Sequence, residues 1–354
     1  MKFLIYADPH WSSYSSILRS RGDKYSLRLE NLIKTINWIE SEARTQNCDA
    51  VVCLGDFFDK CDLTSEELTA LQQIVWSDKL HYFIVGNHEM GRSNLEFSST
   101  HLFTLCPNTH IVDRVSGFDL ENNVTIAFLP YILENNREPL EKYLFQIPQH
   151  NDIIVMSHND ISGIQMGQYL SRDGFSIDEI ENNCKLFING HLHNGTTIGN
   201  KIINLGNITG QNFSEDAYQY QHQYMILDTT DQSISYKENP YALKFFKLDL
   251  SRKTERGDIE EVLNYLPPNS VITVKVNSDN CQLVKDCITE YSTILESRCI
   301  IDINNVTNSS TELVEENLSI DHIKKFCDYI VSEVGASDVI MEELNHLAGV
   351  SIEN

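Results

Sequence analysis

Ala50-Val51-Val52-Cys53-Leu54-Gly55-Asp56-Phe57-Phe58-Asp59 is the stretch that decides the fold. An unbroken apolar run is turned by a glycine and followed at once by a carboxylate. A short run of this kind, bounded by a turn residue, reads as a strand buried on both faces. Short apolar runs that end in a turn residue and a polar cluster recur on either side of it. Residues 2–6 lead into Asp8-Pro9-His10, residues 82–85 into Gly86-Asn87-His88-Glu89, residues 153–156 into Ser157-His158-Asn159, and residues 185–188 into Gly190-His191-Leu192-His193. Residues 125–129 read as a further strand. Helical spacing lies between several of them: Leu29, Leu32, Ile33, Ile36 and Ile39 in one case, and Leu68, Leu71, Ile74 and Val75 in another, the latter opened by a Thr64-x-x-Glu67 capping box. Strands alternating with helices predict a layered α/β domain. Residues 199–206 and 224–236 instead read as hairpin strands, so the sheet is expected to be mixed.

Past Asn239-Pro240 the pattern changes. Lys244, Lys247, Arg252, Lys253 and Arg256 form a cationic stretch, and then residues 270–276, 282–291 and 299–303 read as strand, helix and strand, a small β-α-β unit. A polar stretch from 304 to 319 follows. The tail carries two apolar stripes at helical spacing, Ile320, Ile323, Ile330 and Val334, then Ile340, Leu344 and Leu347, on otherwise acidic helices separated at Gly335. The expected division is therefore 1–238, 239–304 and 305–354.

The 354 residues hold 27 Lys plus Arg against 51 Asp plus Glu, a formal net charge of −24. That excludes a basic protein that coats nucleic acid, so any contact with phosphodiesters needs local basic patches, bound cations or a partner. No apolar run reaches the ~20 residues of a membrane helix. The run at 3–7 is too short for a signal-peptide core, and the nine scattered cysteines fit free thiols, so a soluble cytoplasmic protein is expected.

The chemistry sits at strand ends. Ligands of open α/β sheets bind outside the carboxyl ends of the strands, so five clusters rich in Asp, Asn and His converge if those strands are neighbours. Each cluster alone is a common turn or cap; their order and shared position carry the inference. The donor set is imidazole and hard oxygen without thiolate, which suits manganese, iron or zinc.

In this order, Asp-x-His, Gly-Asp, Gly-Asn-His, His and Gly-His-x-His resemble the calcineurin-like metallophosphoesterase family over roughly residues 1–230. The resemblance implies a four-layer α-β-β-α sandwich and two divalent metal ions, manganese for preference. It implies one metal held by Asp8, His10, Asp56 and His193 and a second by Asp56, Asn87, His158 and His191, with Asp56 bridging. A carboxylate has two oxygens and can serve both cations at the ~3.5–4 Å spacing of two-metal hydrolysis. His88 then resembles the family histidine that contacts the phosphate and assists the leaving oxygen.

Within the family, Gly-Asp-Phe-Phe-Asp, Gly-Asn-His-Glu, Gly-His-Leu-His and residues 203–207 look most like the SbcD-type nucleases and their phage relatives. Length and layout agree: a phosphoesterase core, a small β-α-β capping domain, and a C-terminal helical hairpin that docks on an SMC-like ATPase of SbcC type. The resemblance implies a DNA exo- or endonuclease acting in repair and recombination as a homodimer within a heterotetramer. Asp59 stands where some relatives carry a histidine, and Gly206-Asn207-Ile208 replaces their usual Gly-Ser-Pro. Arg19, Arg21, Lys24 and Arg28, with Arg92, Lys244, Lys247, Arg252 and Lys253, are the candidates for a DNA path. Two other classes fit the motifs: a stand-alone phosphatase or cyclic-nucleotide phosphodiesterase, and a non-catalytic scaffold. The extra domains argue against the first, and the intact ligand set against the second.

Overall fold

The structure, a computed structural model, describes residues 1–302 apart from 122, 148–151, 167–168 and 216, and gives no side-chain surroundings for 165, 166, 169 and 170. The expected tail hairpin lies outside the described residues.

Alternation along the strands builds the layers, because successive side chains leave a strand on opposite faces. In the strand Lys2–Tyr6, Leu4 and Tyr6 face one way and Phe3 and Ile5 the other. The first pair packs beneath Leu29, Leu32, Ile36 and Ile39 of the helix Leu27–Thr45. The second pair meets Ile126, Phe128, Ile154, Met156 and Ile188 of a second sheet. That sheet's other face, with Ala127, Leu129, Val155 and Phe187, is covered by Leu140 and Leu144 of the helix Leu140–Leu144 and Ile180 of the helix Ile177–Asn183. The result is the expected four-layer α-β-β-α sandwich. Strands buried on both faces account for the unbroken apolar runs.

The first six-stranded sheet has the order Ser233–Glu238, Gln223–Asp228, Lys2–Tyr6, Ala50–Cys53, Leu80–Ile84, Thr109–Val112. The last four run parallel, and the first two form an antiparallel hairpin on their edge. The second has the order Thr196–Ile198, Ile202–Asn204, Leu186–Asn189, Asp152–Ser157, Val124–Leu129, Ser116–Leu120, with a parallel centre and an antiparallel strand at each edge. Both hairpins expected from sequence are therefore present, and the sheets are mixed.

Two details differ from the sequence reading. The helix opened by the Thr64–Glu67 capping box, Ser65–Leu71, stops before Ile74 and Val75, and Val75 is exposed. The unit after Asn239 is β-α-β-α-β rather than β-α-β: Lys244–Asp249, Arg256–Leu263, Ser270–Val276, Cys281–Thr289 and Ile294–Ile301, with the three strands parallel. The additional strand was hidden by its bases. Phe245, Phe246 and Leu248 are buried while Lys247 and Asp249 face solvent. This third sheet has its own core around Leu248, Ile259, Leu263, Ile272, Val274, Val284 and Cys287. Leu18, Leu243, Phe245 and Val271 seat it against the loop that follows the first strand, and the two sheets and this unit lie within one compact body, Met1–Ile303. Among the described residues no helix is long and apolar enough to cross a membrane.

Candidate metal centre

Lys2–Tyr6, Ala50–Cys53 and Leu80–Ile84 are neighbours in one sheet, Asp152–Ser157 and Leu186–Asn189 in the other. Their carboxyl ends meet at one edge of the sandwich and bring all seven expected ligands together. The backbone there is unusual: Asp8, His10, Asp56 and His191 all adopt left-handed φ, at 52°, 49°, 47° and 75°. For residues with a Cβ such conformations cost of order 1–3 kcal/mol each and collect where function demands a geometry. Gly55 and Gly86 let the loops close: a side chain on Gly55 would strike the His158 ring, and one on Gly86 would strike the Asp56 carboxylate.

The side chains divide into two sets around Asp56. Donor atoms of Asp8, His10 and His193 cluster together, as do those of Asp56, His158 and His191, each set within 4.8 Å. His10 Nε2 is 3.1 Å from His193 Nε2, 4.0 Å from Asp8 Oδ1 and 3.8 Å from Asp56 Oδ2. On the other side, His158 Nε2 is 3.2 Å from the same Asp56 Oδ2, and Asn87 Oδ1 lies 3.1 Å from His158 Nε2 and 3.0 Å from His191 Nδ1. One carboxylate thus serves both sets. Donors spaced this way, all imidazole nitrogen or hard oxygen, fit two divalent cations.

Each of the four candidate ligand histidines is held from behind. His10 Nδ1 pairs with Asp59 Oδ1 at 3.0 Å, His193 Nδ1 with Glu215 Oε1 at 3.0 Å, His191 Nε2 with Asp160 Oδ1 at 3.0 Å, and His158 Nδ1 with the Leu54 carbonyl at 2.7 Å. Such partners fix the ring and raise its basicity as a ligand. Burial alone would raise the three carboxyls. The facing histidines outweigh it and hold Asp59, Asp160 and Glu215 below the usual range. Glu89, fully buried between the two loops, accepts from Phe58 N and Gly86 N; burial and the nearby Asp56 charge push it up to about 7.

His88 stands at the rim. Its side chain is 44% exposed, its backbone N–H donates to Asp56 Oδ1 at 3.0 Å, and its Nδ1 lies 3.1 Å from the Asp59 carbonyl. His10 packs edge-on against it, ring centroids 4.6 Å apart. Sequence reasoning missed Asp160 and Glu215. It also missed Tyr131, which follows the strand Val124–Leu129 and places its ring 5.7 Å from His191 and 6.4 Å from His158.

The DNA-path candidates fall on three separate elements. Arg19, Arg21 and Lys24 are exposed on the loop after the first strand, where Arg21 pairs with Glu66 at 2.9 Å and Lys24 lies over the Tyr25 ring. Arg92 is exposed at the turn between Met90–Gly91 and Asn94–Ser98. Lys244 is tied to Glu238 at 2.6 Å, Lys247 and Arg252 are exposed on the third unit, and Lys253 is half-buried. Arg28 does not belong with them. It is buried below the site, donating to the His10 carbonyl at 3.0 Å.

The His158–Asp56 pair couples metal loading to pH. Burial opposes a charged His158, but Asp56, Asp8 and the Leu54 carbonyl outweigh it and lift its pKa from 6.5 to about 9. The folded value exceeds the unfolded one, so in metal-free protein this pair stabilises fully below pH ~6.5 and the contribution is lost as pH rises through ~9. A cation needs the ring deprotonated, so affinity at this set should rise with pH up to ~9 and loading at pH 7 should release a proton. Calorimetric titration with manganese in buffers of different ionisation enthalpy measures this; an enthalpy independent of buffer contradicts it.

Two donor sets sharing a carboxylate, at the carboxyl ends of two packed sheets, define the frame of a dinuclear metal hydrolase. Residues 1–195 match the calcineurin-like phosphoesterase family, and the chain belongs to that family. Metal-dependent hydrolysis of phosphoesters follows from membership. No curated protein matches the chain. Among solved structures it is similar to TT1561 of Thermus thermophilus, at 11% identity over 67% of this chain and 98% of that one, with TM-score 0.41. It is also similar to a dimetal phosphatase from Danio rerio (12% identity, 67% and 95% covered, TM-score 0.42) and a metallophosphoesterase from Sphaerobacter thermophilus (14%, 75% and 93%, TM-score 0.30).

Proposed function

We propose that the protein is a manganese-dependent DNA nuclease subunit that works with an SMC-like ATPase. The observation that carries hydrolysis is Asp56, whose one oxygen lies within 4 Å of a histidine from each donor set. Bound divalent cations would supply activation of water and neutralisation of charge on the phosphoryl oxygens. The chain's own groups do the rest. Asp59, Asp160, Glu215 and the Leu54 carbonyl fix the four rings. The Asp59 carbonyl accepts a hydrogen bond from His88 Nδ1, which leaves Nε2 to carry a second proton toward a leaving oxygen.

DNA is favoured over a small ester by the third sheet. A β-α-β-α-β unit with its own core, seated on the loop after the first ligands and presenting Lys247 and Arg252 outward, extends the surface beside the site. The manganese-loaded full chain should cut linear single-stranded and duplex DNA in preference to 2′,3′-cyclic nucleotides and p-nitrophenyl phosphate. The reverse preference favours the stand-alone phosphodiesterase, and no hydrolysis of any of them favours a scaffold. The partner reading rests on the sequence of the tail. Deleting residues 310–354 should abolish co-purification with the ATPase while sparing cleavage of single-stranded DNA. A truncated chain that still bound the ATPase at full affinity removes the docking role.

A further inference from the structure

Beside the metal centre, a cavity of about 710 Å³ opens against His191 and His193. That is the size of a small-ligand site, ~300–1,000 Å³. Its walls are Ile164, Ile177, Ile198 and Tyr220, with Asn194 and Ser214 as polar fittings. Apart from the two histidines, none of its described lining residues is an acid or a base, in a protein whose net charge is −24. A second cavity of about 610 Å³ adjoins it, sharing Gly195, Thr196 and Tyr220, and its lysine, Lys244, is neutralised by Glu238 at 2.6 Å.

We infer that the first cavity is a nucleoside subsite, holding one unstacked base and its sugar while the phosphoryl group they carry lies at the metal centre. The inference rests on the hydrolytic reading above and specifies its substrate. A cavity bordered by metal ligands takes whatever is covalently attached to the reacting phosphorus. Beyond the two histidines the described lining offers no cation to a further phosphate, which favours a neutral attached group. Aliphatic walls and a tyrosine suit a flat apolar ring, and amide and hydroxyl groups suit its polar edges and the sugar. His88 is not among the described lining residues, so a leaving group attended by His88 departs on another side, and the nucleoside in the cavity is the one that keeps the phosphate. A paired base would have to leave its stack to enter, which favours frayed or single-stranded substrates.

Two diesters with the same leaving group separate this from general hydrolysis: thymidine 5′-(p-nitrophenyl phosphate) and methyl p-nitrophenyl phosphate. In both, water adds to phosphorus, the bond to the aryl oxygen breaks, and p-nitrophenolate is released. With the manganese-loaded full chain, kcat/KM should favour the nucleoside ester at least about tenfold, the scale of one base stacked on an aromatic side chain. Tyr220→Ala and Thr196→Trp, which strip or fill the cavity, should erase that preference while methyl ester turnover stays within about twofold, and Tyr220→Phe should keep it. Equal kcat/KM for the two esters in the unmodified protein, or variants that slow both esters alike, overturns the subsite and leaves hydrolysis standing. Failure to hydrolyse either ester overturns the hydrolytic reading, and the subsite with it.

Discussion

Replacing Asp56 with alanine is expected to reduce metal content from about two divalent ions per chain to fewer than one and to lower phosphodiester hydrolysis at least about a thousandfold, since the metals supply several kcal/mol of transition-state stabilisation. Asp8 Oδ1 also approaches both sets, 4.0 Å from His10 Nε2 and 3.9 Å from His158 Nδ1, but that His158 nitrogen is held by the Leu54 carbonyl, whereas Asp56 faces the Nε2 atoms of both rings. Asp56 Oδ2 lies 3.8 Å from His10 Nε2 and 3.2 Å from His158 Nε2, while Oδ1 accepts the His88 N–H. Its loss also removes the main charge that keeps His158 protonated, so burial would dominate and the imidazole pKa should fall well below about 9. Asp56→Asn separates the effects, because the amide oxygen can still accept from His88 N while the second anionic oxygen is gone. Elemental analysis of dialysed protein, histidine titration by NMR and turnover with manganese give three independent readouts. Full metal content in a folded Asp56→Ala protein would contradict the bridging assignment.

The placement of Asp56 was legible because two physical signals coincide there. The run Ala50–Cys53 reports a strand buried on both faces, and Gly55-Asp56 reports where it ends. Three of the five candidate ligand clusters end their apolar runs at a glycine, Gly55, Gly86 and Gly190, and the other two at Asp8-Pro9 and Ser157, so their convergence could be expected from sequence. The groups behind the ligands carry no such signal. Asp160 follows His158 by two positions yet serves His191 on a different strand, and Glu215 reaches His193 from a loop. Both pairings exist only after the second sheet forms. Lys244–Asp249 escaped for the opposite reason. Its charges were legible, and they drew the reading away from the alternation of Leu248 and Leu250 with Lys247 and Asp249. Arg28 shows the limit of composition: a base among bases in sequence, it is folded under the site by Leu29 and Leu32, which turn its face of the helix inward.

His88→Ala should keep both metals and lower turnover by about 100- to 10,000-fold, the range for loss of a positioned proton donor. The geometry separates His88 from the candidate ligands around it. It lies close enough to His10 and Asp56 to cluster with them, yet its side chain is 44% exposed where those of His10 and Asp56 are buried, and its Nδ1 is occupied by the Asp59 carbonyl. A half-exposed ring anchored through one nitrogen is placed to exchange a proton rather than to fill a coordination shell. The Asp59 carboxylate lies 3.7 Å from the same Nδ1. The loss should therefore fall on kcat with KM little changed, because a group acting on the leaving oxygen works in the transition state. It should also shrink with the leaving group: an ester of p-nitrophenol, whose anion departs without a proton, should be hydrolysed by His88→Ala at close to the unmodified rate, while DNA, whose alkoxide needs one, should not. Loss of one metal in His88→Ala, or an equal loss on both substrates, would instead make His88 a ligand or a positioning group.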